Sequence, residues 1–78
     1  MMNFNERIRA LREDCDKTQT EIAEILNTNQ KKISRLETGE CEPNLNDIKQ
    51  LCQYYNLSAD YILGFTDTPK PLPKEWIL

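Results

Sequence analysis

Seventy-eight residues make one small domain, near the lower limit for a chain that folds on a single hydrophobic core. With 38% apolar and 29% charged residues and a net charge of −3, the composition reads as globular rather than disordered, and only two glycines among many helix formers point to an all-helical chain. No apolar run approaches the roughly 20 residues of a membrane-crossing helix, and no signal-peptide pattern opens the chain.

The first helix is signalled by Asn3 with Glu6 three residues later, a capping box in which each side chain takes the other's backbone N–H. Phe4, Ile8, Leu11 and Cys15 follow at steps of four, three and four, one face of a helix that should end between Asp14 and Asp16. Thr18 and Glu21 form a second capping box, ahead of a two-turn helix carrying Ile22, Ala23, Ile25 and Leu26. Asn27 then interrupts the pattern, and Asn tolerates the left-handed conformation of a tight helix-to-helix turn.

Asn29 is the expected cap of the third helix. Its apolar members, Ile33 and Leu36, lie three apart, so one narrow stripe is buried and the rest faces outward. Gly39 stops it, and Pro43 in the loop TGECEPN forbids an early restart. Asn44 with Asp47 opens a fourth helix whose face is Leu45, Ile48, Leu51, Cys52 and Tyr55. Ser58 caps a short fifth with Ala59, Tyr61, Ile62 and Leu63, closed by Gly64.

After residue 66 the composition changes, and prolines at 69, 71 and 73 favour an extended tail over 67–78. Its apolar end, Trp76, Ile77 and Leu78, should dock on helix five or on a second subunit, near Tyr55, Tyr61 or Phe65. Three cysteines without a CxxC pair or any histidine make no metal set. Cys15 and Cys52 read as reduced core thiols of a cytosolic protein.

Residues 19–38, QTEIAEILNTNQKKISRLET, form one unit of two short helices joined by a turn of about three residues, the spacing of a helix-turn-helix. Ala23 sits where the two helices must cross closely, and Ile33 and Leu36 on the second can reach Ile22 and Leu26 on the first. RIRALRE (7–13), TQTEIAEIL (18–26), ISRLETGECEP (33–43) and LSADYILG (57–64) together resemble the Cro/repressor-type, or XRE, helix-turn-helix family. The resemblance covers about residues 4–66 and implies an all-α, five-helix, lambda-repressor-like domain over 1–66, whose third helix enters the major groove of DNA.

The third helix should then expose Gln30, Lys31, Lys32, Ser34 and Arg35, a local positive face on an acidic chain. Gln pairs bidentately with adenine, and Lys and Arg with guanine. By resemblance Asn29, Gln30, Lys31 and Arg35 are the expected base contacts. Gln19, Lys32, Thr38, Asn44 and Arg12 are expected on the backbone, and Arg12 and Glu37 match family positions that form a structural ion pair. The loop acids Glu40 and Glu42 depart from the basic residues often found there and should weaken phosphate attraction.

The function implied is a small cytoplasmic regulator of transcription, acting as a repressor and binding a palindromic double-stranded operator as a homodimer. No catalytic residue, cofactor or metal is expected. The alternative from another class is an antitoxin-like or anti-repressor module that holds a protein partner, in part through the tail.

Overall fold

A computed structural model describes residues 2–72, within which every regular element is helical. In chain order these are α1 (Phe4–Asp14), α2 (Gln19–Ile25), α3 (Gln30–Thr38), α4 (Leu45–Tyr55) and α5 (Ala59–Leu63). Each starts on the side chain read from the sequence. Asn3, Thr18, Asn29, Asn44 and Ser58 all accept a hydrogen bond from a backbone N–H three residues on, satisfying one of the first-turn donors a helix leaves orphaned. At Asn3, Thr18 and Asn44 the capping box is complete.

The helix ends are as regular as the starts. Asp16, Asn27, Gly39, Asn56 and Gly64 all adopt positive φ, between 53° and 87°. Behind α2, Asn27 N donates to Glu24 O and Thr28 N to Ala23 O, the paired bonds that close a helix through a left-handed residue. The same pair recurs behind α1, from Asp16 N to Glu13 O and from Lys17 N to Arg12 O. These turns set the angles at which successive short helices leave one another.

The core gathers one narrow stripe from each helix: Ile8, Ile22, Ala23, Leu26, Ile33, Leu36, Leu51, Cys52 and Ile62, joined by Leu72. α3 packs on α2 and α1, while α5 packs on α4 and α1. Buried Ala23 lets α2 and α3 approach, as the helix-turn-helix spacing requires. The proline-rich stretch is tied in as far as Leu72, with Ser58 N donating to Lys70 O at 2.8 Å.

Three apolar positions depart from the expected face. Cys15 is exposed, because α1 closes at Asp14 and the cysteine becomes the C-cap (φ −91°, ψ 4°), off the helical stripe. Leu45, the first residue of α4, is 69% exposed, and Ile25, the last of α2, is also exposed. Both stand at helix ends that overhang the core. Trp76, Ile77 and Leu78 lie outside the described residues, so the expected docking of the tail's end falls outside them too.

Arg7 runs the other way. Its side chain is buried, with Cζ 3.9 Å from the centroid of the Tyr61 ring and Nη2 donating to Asp67 Oδ1 at 2.7 Å. This cation stacked on an aromatic face clamps the segment after α5 onto α1.

Candidate nucleic-acid interface

α3 buries Ile33 and Leu36 and turns Gln30, Lys31 and Arg35 to solvent. Lys32 and Ser34, expected to be equally exposed, are half-buried. Asn29 stands at the head of the helix, its Oδ1 accepting from Lys32 N at 2.9 Å. That oxygen is therefore committed to the cap, which narrows what Asn29 has left for a base.

A chain of hydrogen bonds ties the tip of α3 to the interior. Arg12 donates from Nε to Glu37 Oε2 at 2.7 Å and from Nη2 to Glu37 Oε1 at 3.0 Å, the bidentate fork that suits a guanidinium to a carboxylate. Arg12 also donates from Nη1 to Lys17 O at 2.8 Å. Gln19 Nε2 donates to Glu37 Oε1 at 3.1 Å, and Gln30 Nε2 donates to Gln19 Oε1 at 2.6 Å. The side chain of Glu37 is only 4% exposed and that of Arg12 13%, so the charge pair at the root is shielded from water. The hydrogen bonds from Arg12 to Glu37 hold the guanidinium above its ordinary pKa.

The pairing of Arg12 with Glu37 between α1 and α3 was legible from family position. The two glutamines were expected as separate contacts; in the fold they touch. Gln19, at the first turn of α2, orients the amide of Gln30 at the first turn of α3, and Glu37 in turn orients Gln19. An amide nitrogen carries two hydrogens. Giving one to Gln19 leaves Gln30 a second N–H, alongside its carbonyl oxygen.

On the far side of α3 the expected backbone contacts are already engaged within the domain. Lys32 Nζ lies 3.2 Å from Asp47 Oδ2. Asn44 accepts the Asp47 N–H on its Oδ1 at 2.8 Å, and Thr38 Oγ1 donates to Arg35 O at 3.3 Å. Among the described residues Lys31 and Arg35 pair with no acid, while Glu40 and Glu42 are exposed in the loop beyond. No helix of the described residues is long and apolar enough to cross a membrane, and none of their His, Cys, Asp and Glu side chains cluster as a metal set.

Known proteins agree with this architecture. The chain is 32% identical over 69 residues to the HTH-type transcriptional regulator ImmR of Bacillus subtilis, a match covering 88% of this chain and 54% of ImmR. It is 32% identical over 63 residues to the HTH-type transcriptional activator BcrR of Enterococcus faecalis, covering 81% of this chain and 31% of BcrR. The chain thus spans about half the length, or less, of these two relatives.

Among solved structures, the P22 c2 repressor protein in complex with a synthetic operator superposes with a TM-score of 0.74 at 30% identity, covering 81% of this chain and 96% of that one. A transcriptional regulator from Listeria innocua superposes at 0.77 over 96% of this chain and 72% of that one; at 24% identity it speaks for the fold alone. The helix-turn-helix domain family model matches residues 4–62, spanning all of α1 to α4 and most of α5. The chain belongs to the helix-turn-helix domain family, the class that its Cro/repressor-type motifs resemble.

Proposed function

We propose that the protein is a transcriptional regulator of the repressor type that binds double-stranded DNA sequence-specifically, with α3 in the major groove. One observation carries the reading: α3 is held by Ile33 and Leu36 while the amide of Gln30, braced by Gln19, and the cations of Lys31 and Arg35 face outward. A base reader needs side chains of those types on a rigid support, because a loosely held amide loses affinity to ordering entropy. The likeness to the P22 c2 repressor, a protein solved in complex with a synthetic operator, supports DNA binding by this fold.

Gln30 suits adenine, since its remaining N–H and its oxygen match N7 and the N6 amino group. Lys31 and Arg35 suit guanine O6 and N7, with Asn29 beside them at the helix head. Gln19, Lys32, Thr38, Asn44 and Arg12 are the proposed backbone contacts. Arg12 uses three of its five N–H groups inside the domain, which leaves two for a phosphate.

Two copies on a palindromic operator would place the half-sites about 34 Å apart, one turn of the double helix. Small size and the exposed apolar side chains of Leu45 and Phe65 support such pairing. The cytoplasm is the compartment this role requires.

Selection of bound duplexes from a random pool tests the reading. It should enrich an imperfect palindrome with that spacing, whereas a pool that enriches no sequence refutes it.

A further inference from the structure

Three cations lie in the first six residues of α3: Lys31, Lys32 and Arg35. Only Lys32 is paired with an acid among the described residues. That acid, Asp47, belongs to the first turn of α4, and its Oδ2 is 3.2 Å from Lys32 Nζ. The same oxygen accepts from Asn44 N at 2.9 Å, closing the α4 capping box. Asp47 is thus fixed in place by its role at the helix start. It is only 17% exposed, and Lys32 only 30%, so water screens the pair incompletely.

From this we infer that Asp47 is an intramolecular competitor of the DNA backbone for Lys32, a positioning residue that sets how much of the binding is independent of sequence. The inference rests on the DNA-binding reading above. A lysine contributes sequence-independent affinity by displacing counterions from phosphates. A lysine whose charge is balanced at 3.2 Å by a fixed carboxylate must leave that partner to do so, and the carboxylate left behind then repels the same phosphate. Glu40 and Glu42 add charge of the same sign in the adjoining loop. Lys31 and Arg35 carry no such brake, so binding is weighted toward the side chains that reach base edges.

Asp47→Asn isolates this role, since an amide oxygen can still accept from Asn44 N and keep the cap. Fluorescence anisotropy with the selected operator and with a random duplex, at several salt concentrations, supplies the readout. Asp47→Asn should bind both duplexes several-fold more tightly at low salt, with the ratio between them unchanged. The slope of log K against log salt should steepen by about one, so the advantage shrinks about three- to fourfold between roughly 50 and 200 mM salt. Lys32→Ala should remove that gain in the Asp47→Asn background and change the slope clearly less in wild type. Glu42→Gln removes one negative charge equally but frees no paired lysine, so its gain should be clearly smaller, and urea midpoints verify that each variant is folded.

An unchanged slope in folded Asp47→Asn overturns the inference, as does an equal gain from Glu42→Gln or a gain that survives Lys32→Ala. Wild type that binds no duplex at any salt overturns the DNA reading itself, and the competition with it.

Discussion

Glu37→Ala should unfold much of the protein at moderate denaturant, and the size of the effect follows from what the carboxylate holds. Glu37 accepts two hydrogen bonds from Arg12 and one from Gln19, with its own side chain 4% exposed. Truncation leaves the Arg12 guanidinium, 13% exposed, with Lys17 O as its remaining hydrogen-bond partner. Removing one member of a fully buried pair costs about 3–5 kcal/mol, because the partner's charge is left uncompensated. The residual exposure of Arg12 and its bond to Lys17 O reduce that, so about 2–4 kcal/mol is expected here. An exposed pair would give about 0–1 kcal/mol. The whole domain holds roughly 5 kcal/mol, so the variant should be marginal.

Urea denaturation followed by far-UV circular dichroism measures this directly. With a slope of about 1 kcal/mol per M, fitting for so small a domain, the midpoint should fall by about 2–4 M. Glu37→Gln, which keeps one accepting oxygen and the shape, should fall between the two. Replacing both partners, as Arg12→Met with Glu37→Leu, should recover much of the loss, since no charge is then stranded. Coincident midpoints for wild type and Glu37→Ala would refute the reasoning and reduce the pair to a surface contact.

The two helix-ending glycines should respond differently to alanine. At Gly64 (φ 87°) an added Cβ would fall 2.4 Å from the backbone oxygen of Met2, whereas at Gly39 (φ 85°) it would meet the movable Asn5 side chain at 2.8 Å. Thermal melting should therefore show Gly64→Ala destabilised by about 2 kcal/mol or more and Gly39→Ala by about 1 kcal/mol, the left-handed strain alone; equal losses would contradict the packing. Stability should also fall in alkali. Burial raises the Tyr55 hydroxyl above its ordinary value of 10.0 and the Cys52 thiol above 9.0. Groups raised in the folded state stabilise fully below their unfolded values and lose that contribution as pH climbs past them. Urea midpoints should be flat from pH 7 to about 8.5 and then decline, and a midpoint that rose through that range would contradict the burial of both groups.

Local chemistry made the helix starts readable. A short polar side chain that accepts the N–H three residues on acts within one turn, so Asn3, Thr18, Asn29, Asn44 and Ser58 could be named without any tertiary context. Asn27, Gly39 and Gly64 were equally legible as left-handed ends. Asp16 and Asn56 adopt the same conformation and were missed, although Asp and Asn are the other residues that tolerate it. The misplaced positions, Cys15, Ile25 and Leu45, all sit at helix ends, where periodicity continues in the sequence after the geometry has stopped supporting it.

At the interface, residue types were visible but their pairings were not. The Gln30 bond to Gln19 and the Lys32 bond to Asp47 join residues 11 and 15 positions apart, distances that no local rule reaches. Arg7 carried a signal that charge concealed, for it stands three residues after Phe4 and four before Leu11, on the apolar stripe itself. An arginine on such a stripe must find an acid or an aromatic face, and here Asp67 and Tyr61 supply both.

The most direct test of α3 as the base reader is the ratio of affinities for the selected operator and for scrambled DNA, measured for wild type and for Gln30→Ala. The substitution should cost about 1–3 kcal/mol on the selected site, relax the preference at one base pair of each half-site and leave scrambled DNA nearly unaffected, so the ratio falls. If Gln30→Ala keeps the wild-type ratio, α3 does not read the operator.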